Sequence, residues 1–222
     1  MTLMEFLHTS PLGPAVRSGR SRILLPFWIL RGRPMPLPPH LKTRRIANIA
    51  THFRADLFIE TGTYRGDTSL HLSKRVSKVI TVEIDKRLAD LARQRLAGFG
   101  VDVLTGDSAE LMPAIVGALS NERVLYWLDG HFSAGVTGGN FDSLPLSKEL
   151  AVIVPSLKDW DLILVDDVRE FGRNGYPSLE LLHQYAMGLN PKVVMHSHDD
   201  MAFIGLENVV DETLRLLSRS QG

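Results

Sequence analysis

The stretch DLFIETGTYRGDTS, residues 56–69, constrains the fold more than any other part of the chain. Asp56 to Ile59 is a short apolar run that stops at Glu60; Gly62 and Gly66 then bracket Thr63, Tyr64 and Arg65 before a helical pattern begins. Strand, glycine turn and helix in that order open a βαβ unit. In an open α/β sheet such a turn lies at the carboxyl end of its strand, where helix N-termini and free backbone N–H groups face a crevice. The spacing is E-x-G-x-x-x-G rather than the G-x-G-x-x-G of a dinucleotide loop, which speaks against a pyrophosphate ligand. An ordinary βα turn with incidental glycines has the same pattern, so on these residues alone the two readings stay level.

The same alternation continues through the chain. VITVEI ends near Glu83, seventeen residues beyond Gly66, where nucleotide-binding α/β folds place an acid for the ribose hydroxyls. VDVLTGDS ends at Asp107 and Ser108, VLYWLDG at Asp129, and DLILVDDV at Asp166 and Asp167. Between these strands lie helical patterns. Asp85 caps one with a stripe of Leu88, Leu91, Ala92 and Leu96, stopped by Gly98 and Gly100. Another carries Ile115, Val116 and Leu119 and starts at, or is kinked by, Pro113. Leu146, Leu150 and Ile153 mark a third, and Ser178 caps a fourth through Leu182, Tyr185, Ala186 and Leu189. KVVMHSH and MAFIGL, joined only by Asp199 and Asp200, must run antiparallel, and Val210 to Leu217 closes the chain as an amphipathic helix. The expectation is an α/β, Rossmann-like, doubly wound sheet of seven mostly parallel strands with a C-terminal antiparallel hairpin, its acidic strand ends on one rim.

A chain of 222 residues with 44% hydrophobic residues buries one sizeable core. It has no cysteine, which excludes disulfides and thiolate metal sites and suits a reducing, cytoplasmic location. Seven of the twelve prolines precede residue 40, so residues 1–40 read as an irregular, basic extension and residues 41–222 as the folded domain. ILLPFWIL, residues 23–30, is too short to span a bilayer and is broken by Pro26. It reads as a patch docking on the body or on a second copy, in preference to a membrane surface. Residues 1–54 hold nine basic residues against Glu5, whereas residues 55–222 hold sixteen against twenty-four acids. From Leu41, the spacing of Ile46, Ile49, Ala50 and Phe53 predicts an amphipathic helix with Lys42, Arg44 and Arg45 on its polar side.

E-x-G-x-x-x-G after the first strand resembles the first motif of the class I S-adenosylmethionine (SAM)-dependent methyltransferases, and the body from about residue 41 to 206 resembles them throughout. Within them it looks like an uncharacterised bacterial group carrying W-L-D-G-H-[FY]-S, D-D and Y-P-S, here Trp127 to Ser133, Asp166 with Asp167, and Tyr176 to Ser178. The resemblance implies a cofactor site on Glu60, Gly62, Thr63, Tyr64, Arg65 and Gly66, on Glu83 and Ile84, on Asp107 and Ser108 at the adenine edge, and on Asp129. A second likeness, to metal-dependent O-methyltransferases of the catechol and macrolide-sugar types, puts a divalent cation on Asp129, Asp166 and Asp167. Oxygen ligands alone suit Mg2+ or Ca2+. Such an ion lowers the pKa of an acceptor hydroxyl and fixes it in line with the methyl group. Asp129 and His131 are then the catalytic pair, His131 taking the proton. The sugar enzymes carry an acid in place of His131. Carboxylates that merely cap helices and hydrate are the competing reading of the cluster.

The expected function is therefore SAM-dependent methylation, on oxygen of a small polar molecule, with a cation assisting. The alternative from another class is a non-catalytic module that binds cofactor or partner on the same fold. A nicotinamide oxidoreductase fits less well because of the glycine spacing and the terminal hairpin. Nucleic acid is disfavoured as substrate by the acidic body and by the lack of an N/D-P-P-Y run. A homo-oligomer stays open. His196 and His198 near Asp199 and Asp200 read as structural residues ahead of a metal clip. Arg65, Arg169 and Arg173 read as rim residues that either clamp an anion or form surface ion pairs. The glycine-containing segment from His131 to Asp142 reads as a lid or a connector.

Overall fold

The computed structural model describes residues 36–129, 144–173 and 176–219, together with Leu30. The expectations for the apolar patch, for His131 and for the segment up to Asp142 lie outside the described residues, apart from Leu30 itself.

Helix α1 (Pro39–His52) leads into β1 (Leu57–Thr61), after which helices and strands alternate: α2 (Asp67–Leu72), β2 (Lys78–Glu83), α3 (Lys86–Leu96), β3 (Val101–Thr105), α4 (Ser108–Gly117) and β4 (Val124–Leu128). Then come α5 (Pro145–Ser156), β5 (Leu162–Val165), a 3-10 turn (Val168–Glu170), α6 (Leu179–Leu189), β6 (Val193–His198), β7 (Met201–Leu206) and α7 (Glu207–Arg219). The sheet order is β3-β2-β1-β4-β5-β7-β6. β1 to β5 pair in parallel, while β7 is antiparallel to both β5 and β6. The expected seven-stranded architecture is therefore the observed one.

β1 and β4 read as continuous apolar runs because both sheet faces are covered. Ile59, Tyr126, Leu128, Ile163 and Ile204 pack on one face with Met112 and Ile115 of α4, Leu150 and Ile153 of α5, and Leu182 of α6. Phe58, Trp127, Leu164 and Phe203 pack on the other with Ile46, Ile49 and Ala50 of α1, Leu72 of α2, and Val210 of α7. Asp85 and Ser178 cap as expected: each side chain accepts a bond from the N–H three residues on, Leu88 at 3.0 Å and Leu181 at 3.1 Å.

Two details differ from the sequence reading. In α3 the buried stripe is Ala89, Ala92 and Leu96, with Leu91 exposed. The edge strand β3 offers this helix little surface, so a narrow alanine face suffices. Helix α4 begins at Ser108, five residues ahead of Pro113, because Asp107 accepts the Ala109 N–H at 2.9 Å and caps it there.

Backbone bonds carry the parallel ladder to the acidic ends. The Gly62 N–H donates to Val82 O (2.9 Å), Gly106 to Glu83 O (3.0 Å), Asp129 to Thr61 O (3.3 Å) and Asp166 to Leu128 O (3.1 Å). Val165 pairs with Ala202 and His198 with Met201, so the Asp199–Asp200 turn falls on the same rim, beside the end of β5. Ile49 is fully buried where α1 meets the sheet, and Ile49→Ala is expected to lower stability by about 2–5 kcal/mol. A urea midpoint matching that of the unsubstituted protein would contradict that docking.

Candidate active site

Gly62 holds φ +84°, and a Cβ there would lie 2.4 Å from the carbonyl oxygen of Asp129. Only glycine lets the loop after β1 lie flat against the end of β4. Gly66, at φ +70°, precedes α2, and a Cβ on it would strike Leu96 Cδ1 at 2.7 Å. Both motif glycines are thus fixed by backbone conformation, and Gly62 by close approach to backbone as well. That is a physical reason for the spacing which an incidental turn would lack.

Glu60 points into the sheet face beneath this loop. Its Oε2 accepts bonds from the Ser69 hydroxyl and from the Thr81 hydroxyl (2.9 Å), and Thr81 in turn meets Thr63 at 2.6 Å. Burial pushes the Glu60 carboxyl from 4.5 up to about 8, against the lowering effect of the two hydroxyls. Glu60 thus braces the loop from below as a neutral acid.

Glu83, also buried, closes β2 and bridges two backbone donors: the Tyr64 N–H on Oε2 (2.7 Å) and the Asp85 N–H on Oε1 (3.0 Å). Next to it Ile84 is 68% exposed, a large apolar side chain held out at the rim. Tyr64 takes φ +47° and is exposed, with the Arg65 guanidinium 5.1 Å from its ring centroid. The Arg65 carbonyl accepts a bond from Arg95. Across the rim, Ser108 donates to Glu149 Oε1, a carboxyl carried in from α5. Glu149 is 1% exposed, and its Oε2 has no hydrogen-bond partner among the described residues. Burial, then the nearby Asp107, pushes it up to about 7. The sequence reading missed Glu149, which sits inside an apolar helical pattern where one Glu looks like a solvated position.

Asp129, Asp166 and Asp167 converge, each offering one oxygen, and these oxygens all lie within 4.8 Å of one another. Burial, then the Asp129 charge, raises Asp166 to about 7, with Lys42 opposing. Lys42, expected on the polar side of α1, meets partners the sequence reading did not foresee. Its ammonium donates to Asp166 and stands 3.5 Å from Asp167 Oδ1 and 3.8 Å from Asp200 Oδ2. Burial pulls its pKa down, but these three carboxylates outweigh that and leave it raised. Arg169 bonds Asp167 at 2.7 Å and also Asp200, Arg45 pairs with Asp199, and His198 meets Asp199 at 2.7 Å. Asp167, Asp199 and Asp200 all take positive φ, a conformation Asp tolerates better than most residues.

The donor set therefore suits a hard divalent ion in spacing and chemistry, whereas two chain cations already sit on its carboxylates. Among the described residues this is the one cluster of potential ligands with such spacing. His196 and His198 do not join it, and Arg173 is exposed.

The buried Glu60 generates a pH test. Between about pH 4.5 and 8 the unfolded chain loses this proton while the folded one keeps it, so stability falls as pH rises through that window. The slope is at most about 1.4 kcal/mol per pH unit. Glu60→Gln keeps an acceptor and removes the titration. Its unfolding midpoint is expected to gain on the unsubstituted protein from pH 5 to 8.5, and a constant gap would refute the neutral buried acid.

No protein-family model matches the sequence. Among solved structures the chain is similar to the SAH-bound methyltransferase PaMTH1 of Podospora anserina, at 15% identity and TM-score 0.58 over 89% of each chain. It is also similar to an O-methyltransferase from Bacillus cereus in complex with SAH, at 15% identity and TM-score 0.54 over 83% of this chain and 88% of that one. A third is the O-methyltransferase TomG from Streptomyces achromogenes in complex with SAM, at 15% identity and TM-score 0.52 over 86% and 88%. In sequence, 111 residues are 27% identical to the "Probable ribosomal RNA small subunit methyltransferase A" of Pyrococcus abyssi, covering 50% of this chain and 38% of that relative. No described helix is long and apolar enough to cross a membrane. The strand order, the reversed β7 and these likenesses agree: the chain has the Rossmann-like fold of the class I SAM-dependent methyltransferases.

Proposed function

We propose that this protein is a SAM-dependent methyltransferase acting on oxygen of a small polar acceptor. The observation that carries the reading is the rim at the ends of β1, β2 and β4, where a glycine-fixed loop meets the Glu83 carboxylate, on a fold whose similar structures hold SAM or its product.

In this reading Glu83 accepts the ribose hydroxyls, and the exposed Ile84 lies against adenine. Asp107 and Ser108, backed by Glu149, border the adenine edge. Gly62 to Gly66, braced by Glu60 and flanked by Asp129, enclose the amino-acid end. When bound, SAM supplies a sulfonium-activated methyl group, whose C–S bond breaks as an acceptor oxygen forms the new C–O bond. The chain has to hold that oxygen in line and remove its proton. Asp129, Asp166 and Asp167 stand on the acceptor side of the rim, and His131, two residues past Asp129, takes the proton. The similarity to an RNA-modifying relative spans only 38% of its length, and the twenty-four acids against sixteen basic residues of residues 55–222 ill suit a polyanion. A small acceptor fits this surface better.

A second reading adds a divalent cation on Asp129, Asp166 and Asp167, favoured by their convergence within 4.8 Å. It would lower the acceptor's pKa.

Calorimetric titration with SAH is expected to show one site. Glu83→Ala should weaken it by about 1.5–3 kcal/mol, roughly ten- to a hundred-fold, through loss of charge-assisted bonds. No SAH binding to the unsubstituted protein would overturn the proposal, and binding without turnover across small hydroxyl acceptors would favour a non-catalytic module. Product formation unchanged in EDTA would remove the cation.

A further inference from the structure

We infer that Lys42 is the resident cation of the Asp129, Asp166 and Asp167 cluster, so that a divalent ion enters only by displacing its ammonium. This rests on reading that cluster as the cation site, and it adds what controls occupancy.

Lys42 lies in the first turn of α1, a helix fastened to the opposite part of the fold by Ile46, Ile49 and Ala50. Its side chain is only 12% exposed, and its ammonium bonds Asp166 while standing 3.5 Å from Asp167. Two of the three prospective ligands therefore already share one positive charge. An oxygen-bound Mg2+ or Ca2+ sits within about 2.0–2.6 Å of its ligands. Placed among these carboxylates it would come within a few ångströms of the ammonium, on the same oxygens, where like charges repel strongly.

The surrounding charges explain why one cation does not saturate the site. Among the described residues, Asp129, Asp166, Asp167 and Asp200 carry four negative charges when ionised, against one each on Lys42 and Arg169. The remaining deficit still attracts a cation. Arg169 is held by Asp167 and Asp200, away from Asp166, and presents a planar fork. Lys42 is a point charge on a flexible stem and can swing off Asp166 without moving the buried face of α1. The exchangeable partner is therefore Lys42. While it stays, it supplies positive charge beside the acceptor position.

The test uses Mn2+ as the probe, its free fraction read by electron paramagnetic resonance on the full chain. Lys42→Met is expected to bind one Mn2+ at least about ten-fold more tightly than the unsubstituted protein, as removing a like charge requires. Asp129→Asn in the Lys42→Met background should abolish that gain. Lys42→Arg keeps the charge and should hold Mn2+ out as the native lysine does, which covers the case in which Lys42→Met fails to fold. Equal affinity in the unsubstituted protein and Lys42→Met, or Mn2+ binding to Lys42→Arg as tight as to a charge-free variant, overturns the inference and leaves the metal reading standing. No saturable Mn2+ binding in any variant overturns both. SAH titration on the same samples tests the methyltransferase reading separately.

Discussion

The contact of Gly62 with the Asp129 carbonyl is the constraint on which the rim depends. A side chain at Gly62 would meet that oxygen at 2.4 Å, so the turn after β1 would have to lift away from β4. Held flat, it passes its N–H groups to Val82 and to the Glu83 carboxylate, and the ends of β1, β2 and β4 come flush. A glycine in a left-handed conformation thereby joins three separate strand ends into one rim.

Bringing strand ends together also concentrates carboxylates where water is scarce, and the fold answers this in two ways. Under the loop, Glu60 stays protonated near neutrality and is held by hydroxyls. At the β5 end the answer is ion pairing: Lys42 and Arg45 from α1 and Arg169 from the 3-10 turn engage Asp166, Asp167, Asp199 and Asp200. Partly buried pairs of this kind contribute little net stability but fix geometry, since removing one partner strands the other charge. Helix α1 is consequently tied to the rim by charge as well as to the sheet by its apolar face.

The shared rim also explains why some side chains have two plausible roles. Glu83 braces Tyr64 and Asp85, and under the proposed function the same carboxylate would accept from a ribose. Ser108 opens α4 and donates to Glu149, so an adenine edge there would rest on a buried carboxyl with one oxygen unpaired. Such an unsatisfied polar oxygen is costly in an apolar setting and marks a place where a hydrogen-bonding group is wanted.

The sequence by itself determined the strands and helices, the reversed final hairpin and the acids closing each strand. Those features are written locally, in apolar periodicity, in the caps Asp85 and Ser178, and in a two-residue turn that permits only antiparallel pairing. Tertiary structure alone decided which charges meet. Periodicity told that Lys42 is on the polar side of α1 but not that this side faces an acidic rim instead of solvent. Nor did it tell that β7 inserts between β5 and β6, setting Asp200 beside Asp166 and Asp167. It gave Leu91 to the core of α3 where Ala89 belongs, and did not single out the buried Glu149. A residue's pattern records which face of its helix or strand it lies on, whereas its partner depends on strand order and on contacts between residues as far apart as Lys42 and Asp166.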